Sequence, residues 1–84
     1  MQWILNDIPL GRNIQSLRIK NDLTQSELVA KLQVKGINMS RSTLANIETG
    51  RRNIKAGDLR AIKEVLNVEY DEFFEDTETE KIKA

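Results

Sequence analysis

The sequence predicts an all-α domain, and three observations carry that prediction. Apolar residues recur at spacings of three and four, and no segment shows the strict alternation typical of a half-buried strand. The segment Thr24-Gln25-Ser26-Glu27 fits a capping box, which marks the start of a helix. Only one proline and four glycines interrupt the 84 residues. A chain of this length is expected to form one small domain.

The first two helices are bounded by proline and glycine signals. Helix one is predicted from about Pro9 to Lys20, because proline suits the first turn, where its missing N–H has no helical partner. Helix two is predicted to start at Thr24 and to stop near Lys35, because Gly36 can adopt the left-handed conformation that closes a helix. Apolar residues at helical spacing predict the buried faces: Leu10, Ile14 and Leu17 in helix one, Leu28 and Leu32 in helix two.

Three further helices complete the predicted domain. Helix three begins after Ser40, a favourable N-cap residue, and is closed by Gly50. Helix four is predicted over 56–66, and a short helix five over 70–74. Their predicted core residues are Leu44, Ile47, Leu59, Ile62 and Leu66.

The two ends of the chain differ from the predicted helical domain, residues 9–74. Residues 1–8 form an apolar N-terminal extension, in which Trp3, Ile4 and Leu5 either fold back on the core or meet a partner. Residues 75–84 form an acidic tail that is too polar to order itself, and we predict that it is flexible.

The composition excludes several kinds of chemistry. The chain contains no cysteine and no histidine, which removes disulfides, thiol nucleophiles and the commonest general base and metal ligand. A membrane span needs about 18 apolar residues, and no apolar run in the chain approaches that length. The first residues also lack the basic region of a secretory signal. We therefore expect a cytoplasmic protein with no cofactor, no membrane partner and no evident small-molecule ligand.

Charge is segregated along the chain, although the net charge is zero. Residues 1–63 carry eleven Lys and Arg against five acidic residues, a net charge of +6. Residues 64–84 carry two against eight, a net charge of −6. A basic body suits a polyanion, and the acidic end is expected to point away from it. On charge alone, a solvated surface with chance segregation stays open as the alternative.

The predicted third helix has the features of a helix that reads DNA. Its apolar pair, Leu44 and Ile47, holds one face of the helix against the core, so the opposite face is turned to solvent. Arginine can pair with guanine and asparagine with adenine, and a small side chain allows close approach to a thymine methyl group. An α-helix also fits the major groove. The predicted base-contacting residues are Arg41, Ser42, Ala45 and Asn46.

Several stretches in order resemble the Cro/repressor-type helix-turn-helix family, also called the xenobiotic-response-element family, over about residues 10–74. They are Arg18, the run Leu23-Thr-Gln-Ser-Glu-Leu28, and the run Ser40-Arg-Ser-Thr-Leu-Ala-Asn-Ile-Glu-Thr-Gly50. Residues 59, 62, 66–68 and 71–73 fit the family's fourth and fifth helices. The resemblance implies a lambda-repressor-like fold and a sequence-specific, repressor-like regulator that binds a double-stranded DNA operator as a weak dimer on the nucleoid.

The resemblance also implies roles for residues outside the base-contacting set. Arg18 and Glu48 correspond to an inter-helix ion pair that fixes helix three and masks its carboxylate from phosphate. The residues expected to contact the sugar-phosphate backbone are Gln25, Thr43, Thr49, Arg51, Arg52 and Asn53.

Two features depart from the family pattern. Val29 stands where the family usually has a small residue, which adds bulk between helices two and three. The link from Leu32 to Ser40 is several residues longer than the family's short turn. Either helix two runs further, or a loop bulges toward the DNA and brings Lys35 to a phosphate. A longer turn also gives Val29 more room.

Two other function classes compete with DNA binding. A protein-interaction module, such as an antitoxin-like adaptor on the same fold, would not share the steep salt dependence of DNA binding. An enzyme would need a site that a chain without histidine or cysteine does not suggest. The predicted sticky edge for a protein partner comprises Trp3, Ile4, Tyr70, Phe73 and Phe74. Self-association is expected to use helix five, the C-terminal tail or the region of Trp3. A carboxylate run fits an acidic surface better than a metal site: Glu69, Asp71, Glu72, Glu75 and Asp76.

Overall fold

The computed structural model describes residues 9–75, which form five α-helices and no strand. The all-α, five-helix prediction is confirmed, and every predicted helix boundary agrees with the structure to within one residue. The N-terminal extension and the tail beyond residue 75 lie outside the described residues. The helices are α1 (Leu10–Lys20), α2 (Gln25–Val34), α3 (Arg41–Glu48), α4 (Ala56–Leu66) and α5 (Tyr70–Phe73).

Side-chain caps fix the starts of α2 and α3. The Thr24 hydroxyl accepts a hydrogen bond from the Glu27 N–H at 3.1 Å, and the Glu27 carboxylate accepts one from the Thr24 N–H at 2.8 Å. This backbone hydrogen bond holds the pKa of Glu27 below its ordinary value. The Ser40 hydroxyl accepts from the Thr43 N–H at 3.1 Å. Both predicted N-caps are therefore present.

The ends of α2 and α3 share one geometry. Gly36 and Gly50 are left-handed, with φ of 88° and 80°. In each case the glycine N–H and the next N–H donate to carbonyls of the last helical turn, which is the Schellman arrangement. Glycine adopts this conformation without a Cβ penalty. The chain therefore enters and leaves α3 in fixed directions.

The core lies between the first four helices and is completed by one side chain of α5. α1 packs on α3 and α5, and α2 packs on α3 and α4. Val29 is buried, so the bulk that departs from the family pattern is accommodated inside the core. The buried apolar residues are Ile14, Leu17, Leu28, Val29, Leu32, Met39, Leu44, Ile47, Leu59, Ala61, Ile62, Leu66 and Phe73.

The turn between α2 and α3 spans residues 35–40, because α2 runs past Leu32 to Val34. It does not bulge freely. Met39 is buried and Ile37 packs half-buried against the core. These two apolar side chains anchor the turn directly before α3.

α1 and α3 approach each other most closely at Gly11. A Cβ atom at this position would meet the backbone carbonyl oxygen of Ile47 and, at 3.0 Å, that of Glu48. Backbone atoms cannot move aside as a flexible side chain can. Glycine at position 11 therefore sets the spacing between α1 and the C-terminal end of α3.

α5 is held on α1 by one buried aromatic ring and two hydrogen bonds. Phe73 is fully buried, so its predicted place in an exposed sticky edge is wrong. The short helix turns this ring to the core and leaves Tyr70 and Phe74 at the surface, 43% and 42% exposed. The Asn13 amide donates to the carbonyl oxygens of Phe73 at 2.7 Å and Glu75 at 2.8 Å. Within residues 9–75, every helix is too short or too polar to cross a bilayer.

Candidate nucleic-acid interface

The solvent side of α3 is polar and carries no exposed carboxylate. Leu44 and Ile47 are buried and fix the opposite side of the helix to the core. Three of the predicted base-contacting residues are exposed and the fourth, Ala45, is half-exposed. The structure thus brings these four together on one surface: Arg41, Ser42, Ala45 and Asn46.

The polar side chains on this surface are available to a ligand. Among the described residues, none donates to or accepts from the side chain of Arg41, Ser42 or Asn46. The backbone carbonyl of Asn46 accepts from the N–H groups of Arg51 and Arg52 at 2.9 and 3.2 Å. Because these bonds use the backbone carbonyl oxygen, the side-chain carboxamide of Asn46 stays free. Free guanidinium and carboxamide groups are the ones that pair bidentately with base edges.

A buried ion pair joins α1 to α3 directly behind this surface. Arg18 donates from Nε to Glu48 Oε2 at 2.8 Å and from Nη2 to Oε1 at 3.1 Å. The side chains are 9% and 0% exposed, respectively. Arg18 also donates from Nη1 to the Leu23 carbonyl oxygen at 2.7 Å, in the loop before α2. The one carboxylate of α3 is therefore neutralised and shielded from the surface.

Gln25 completes the bonding of this carboxylate from α2. Its Nε2 donates to Glu48 Oε1 at 2.9 Å. Gln25 was predicted to contact a phosphate by its side chain or its backbone N–H. One donor of the side-chain amide is used by the ion pair, which leaves the backbone N–H and the second amide N–H for an anion. Sequence reasoning missed this bond because nothing local links two residues 23 positions apart.

The two threonines of the predicted backbone-contacting set differ in their hydrogen bonds. The Thr49 hydroxyl donates to the carbonyl oxygens of Ala45 and Asn46 at 3.1 and 3.2 Å. Its proton is therefore used within α3, whereas a phosphate oxygen needs a donor. The Thr43 hydroxyl accepts from the Ser40 hydroxyl at 3.0 Å and keeps its own proton to donate.

A basic segment follows α3. Arg51, Arg52 and Asn53 are exposed directly after the left-handed Gly50. Arg52 and Asn53 line one cleft together with the first turn of α1, including Arg12. These donors stand beside the solvent face of α3, where a nucleic-acid backbone would flank a helix seated in the groove.

Lys35 is directed away from that surface. Its ammonium group lies 3.2 Å from Glu64 Oε1 on α4, and Arg60 Nε lies 3.5 Å from Glu64 Oε2. The hydrogen bond from Lys35 is the main cause that lowers the pKa of Glu64 below its ordinary value. The structure does not bring Lys35 together with the other predicted backbone-contacting residues.

The acidic residues of α5 form no metal site in the part of the chain that is described. Between residues 9 and 75, no three acidic, histidine or cysteine side chains are arranged to hold an ion. Glu72 accepts from the Glu69 N–H at 2.9 Å, so it caps the short helix. Asp76, the last residue of the predicted acidic run, lies outside the described residues.

The comparison with protein families agrees with this geometry. The helix-turn-helix family model HTH_3 matches residues 14–73, which is most of the chain. The chain belongs to this Cro/C1-type helix-turn-helix family, and it is a DNA-binding domain of the regulatory type. Comparisons with curated proteins and with solved structures found no match.

Proposed function

We propose that the protein is a sequence-specific, repressor-like regulator of transcription that reads an operator through α3. The observation that carries the proposal is the solvent face of α3. Its side chains are unbonded within residues 9–75, and a buried ion pair holds the helix rigidly from behind. Preorganised donors on a fixed helix suit the major groove. The place of action is then the nucleoid in the cytoplasm.

Phosphate contacts are proposed on both sides of α3. Arg51, Arg52 and Asn53 follow its C-terminal end, and the backbone N–H of Gln25 stands at the positive end of the α2 dipole. Thr43 adds a hydroxyl donor. Phosphate contacts fix the register of the protein and carry no sequence information. Each phosphate neutralised by Lys or Arg steepens the dependence of log K on log salt by about 0.9.

Asn46→Ala is expected to weaken binding to the cognate duplex by about 1–3 kcal/mol and to relax one base position. Arg52→Ala is the matched control, because it should weaken all sequences similarly and reduce the salt slope by about 0.9. The cognate duplex comes from selection of bound sequences from random DNA at two salt concentrations. Fluorescence anisotropy then gives Kd on cognate and random DNA. Equal losses on both for Asn46→Ala contradict the base-reading role.

Self-association through α5 is proposed as the route to a dimer. A recognition helix covers only a few base pairs, and two-fold operators place two such helices about one helical turn apart. Exposed Tyr70 and Phe74 supply an apolar surface, and they favour a protein partner as the second candidate function. Asp71 and Glu75 are exposed beside them, so two copies would meet like charge with like charge.

Added salt is therefore expected to strengthen self-association, by screening these carboxylates, while it weakens DNA binding. Sedimentation at low and high salt, with and without the operator duplex, measures both effects. A monomer under all conditions, on DNA as well as free, contradicts the proposed dimer. If the protein binds a protein partner and the affinity does not fall steeply with added salt, the adaptor function is favoured instead.

A further inference from the structure

The lengthened turn before α3 holds one polar residue at its apex. The Met39 N–H donates to the Ile37 carbonyl oxygen at 3.2 Å, which closes a γ-turn centred on Asn38. The flanking apolar side chains are anchored in the core, whereas Asn38 is exposed. The anchored residues on both sides therefore fix the backbone of Asn38, and its side chain is left exposed to solvent.

Backbone conformation does not explain an asparagine at this position. Asparagine is common in turns because it tolerates positive φ or bonds to its own backbone. The non-glycine residues with positive φ between 9 and 75 are Asp22 and Asn67, so Asn38 is not among them. Its carboxamide also makes no hydrogen bond to another described residue. The side chain is free and its identity is not needed by the turn.

Asn38 stands close to the end of α3 that meets DNA. The first residues of a recognition helix contact base edges. Asn38 precedes Arg41 by three positions, so their Cα atoms are at most about 11 Å apart. With Arg41 on a base pair, a residue within that distance of Arg41 lies beside the adjoining part of the duplex.

We propose that Asn38 reads a base pair at the edge of the operator, adjoining the base pairs covered by α3. This inference rests on the proposed function. The carboxamide offers one acceptor and two donors, the set that pairs with N6 and N7 of adenine. The lengthened turn thereby adds a specificity-determining residue outside the recognition helix.

The test repeats the selection from random duplexes with wild type, Asn38→Ala, Gln33→Ala and Asn46→Ala. Gln33 is the matched control, because it carries an exposed amide on the last turn of α2, just before the turn. Asn38→Ala is expected to lose the preference at one edge position and keep all others. Its affinity for the selected duplex falls roughly 5- to 150-fold. Gln33→Ala keeps both properties, and thermal unfolding of all variants matches wild type.

Three outcomes overturn the proposal. Asn38→Ala could retain every positional preference while Asn46→Ala loses one, in which case Asn38 alone is wrong. Asn38→Ala could lose affinity equally for all sequences, which assigns it to the sugar-phosphate backbone. Wild type could enrich no sequence at all, in which case the proposed function fails and the role of Asn38 fails with it.

Discussion

Arg18→Met is expected to lower the free energy of unfolding by about 3–5 kcal/mol, measured by urea denaturation. The substitution leaves the Glu48 carboxylate, 0% exposed, without its bidentate partner. Gln25 still donates one hydrogen bond to Glu48, but an amide does not neutralise the charge. The Leu23 carbonyl loses a donor as well.

The double variant Arg18→Met with Glu48→Leu is expected to be more stable than Arg18→Met alone. Removing both charges leaves no buried unpaired ion, so the two effects are not additive. Arg60→Met is the control, because the Arg60–Glu64 pair is exposed and such pairs contribute about 0–1 kcal/mol. If Arg18→Met costs no more than Arg60→Met, the ion pair is not what holds α3.

Gly11→Ala is expected to destabilise the protein by about 1–3 kcal/mol, whereas Gly57→Ala should stabilise it by up to about 1 kcal/mol. Both glycines lie in helices, and both changes gain helix propensity. They differ in their surroundings. The added methyl group meets backbone carbonyls of α3 at position 11 and open space at position 57.

Relief of this overlap requires α1 and α3 to move apart, which disturbs the surface that reads DNA. Gly11→Ala should therefore also lose discrimination between cognate and random duplexes, and Gly57→Ala should not. Thermal unfolding and anisotropy titrations of the two variants measure both effects. A shift of stability in the same direction for both would contradict the close approach of α1 to α3.

Helix boundaries were predictable because local chemistry fixes them. Caps bond to residues within one helical turn, so the sequence alone predicts them. The caps here are Thr24, Ser40, Gly36 and Gly50. The burial of Phe73 could not be predicted from the sequence, because the packing of the other helices decides which face of a four-residue helix turns inward.

Two of the unpredicted parts of the site depend on contacts between distant residues, whereas the hydrogen bonds of the Thr49 hydroxyl are local. Gln25 bonds a residue 23 positions away, and Lys35 bonds one 29 positions away. From the sequence alone, a phosphate contact was a reasonable expectation for both Gln25 and Lys35. Only the packing of the helices shows that each side chain bonds to another residue of the protein instead. The solvent face of α3 was predictable because two apolar residues at helical spacing orient the whole helix.

Intermolecular nuclear Overhauser effects between the labelled protein and its selected duplex show whether α3 lies in the major groove. We expect contacts from the Ala45 methyl group and the Asn46 side chain to base protons of the major groove, with thymine methyl groups among them. Contacts confined to sugar protons, or to residues of α5 with none from α3, would contradict this expectation.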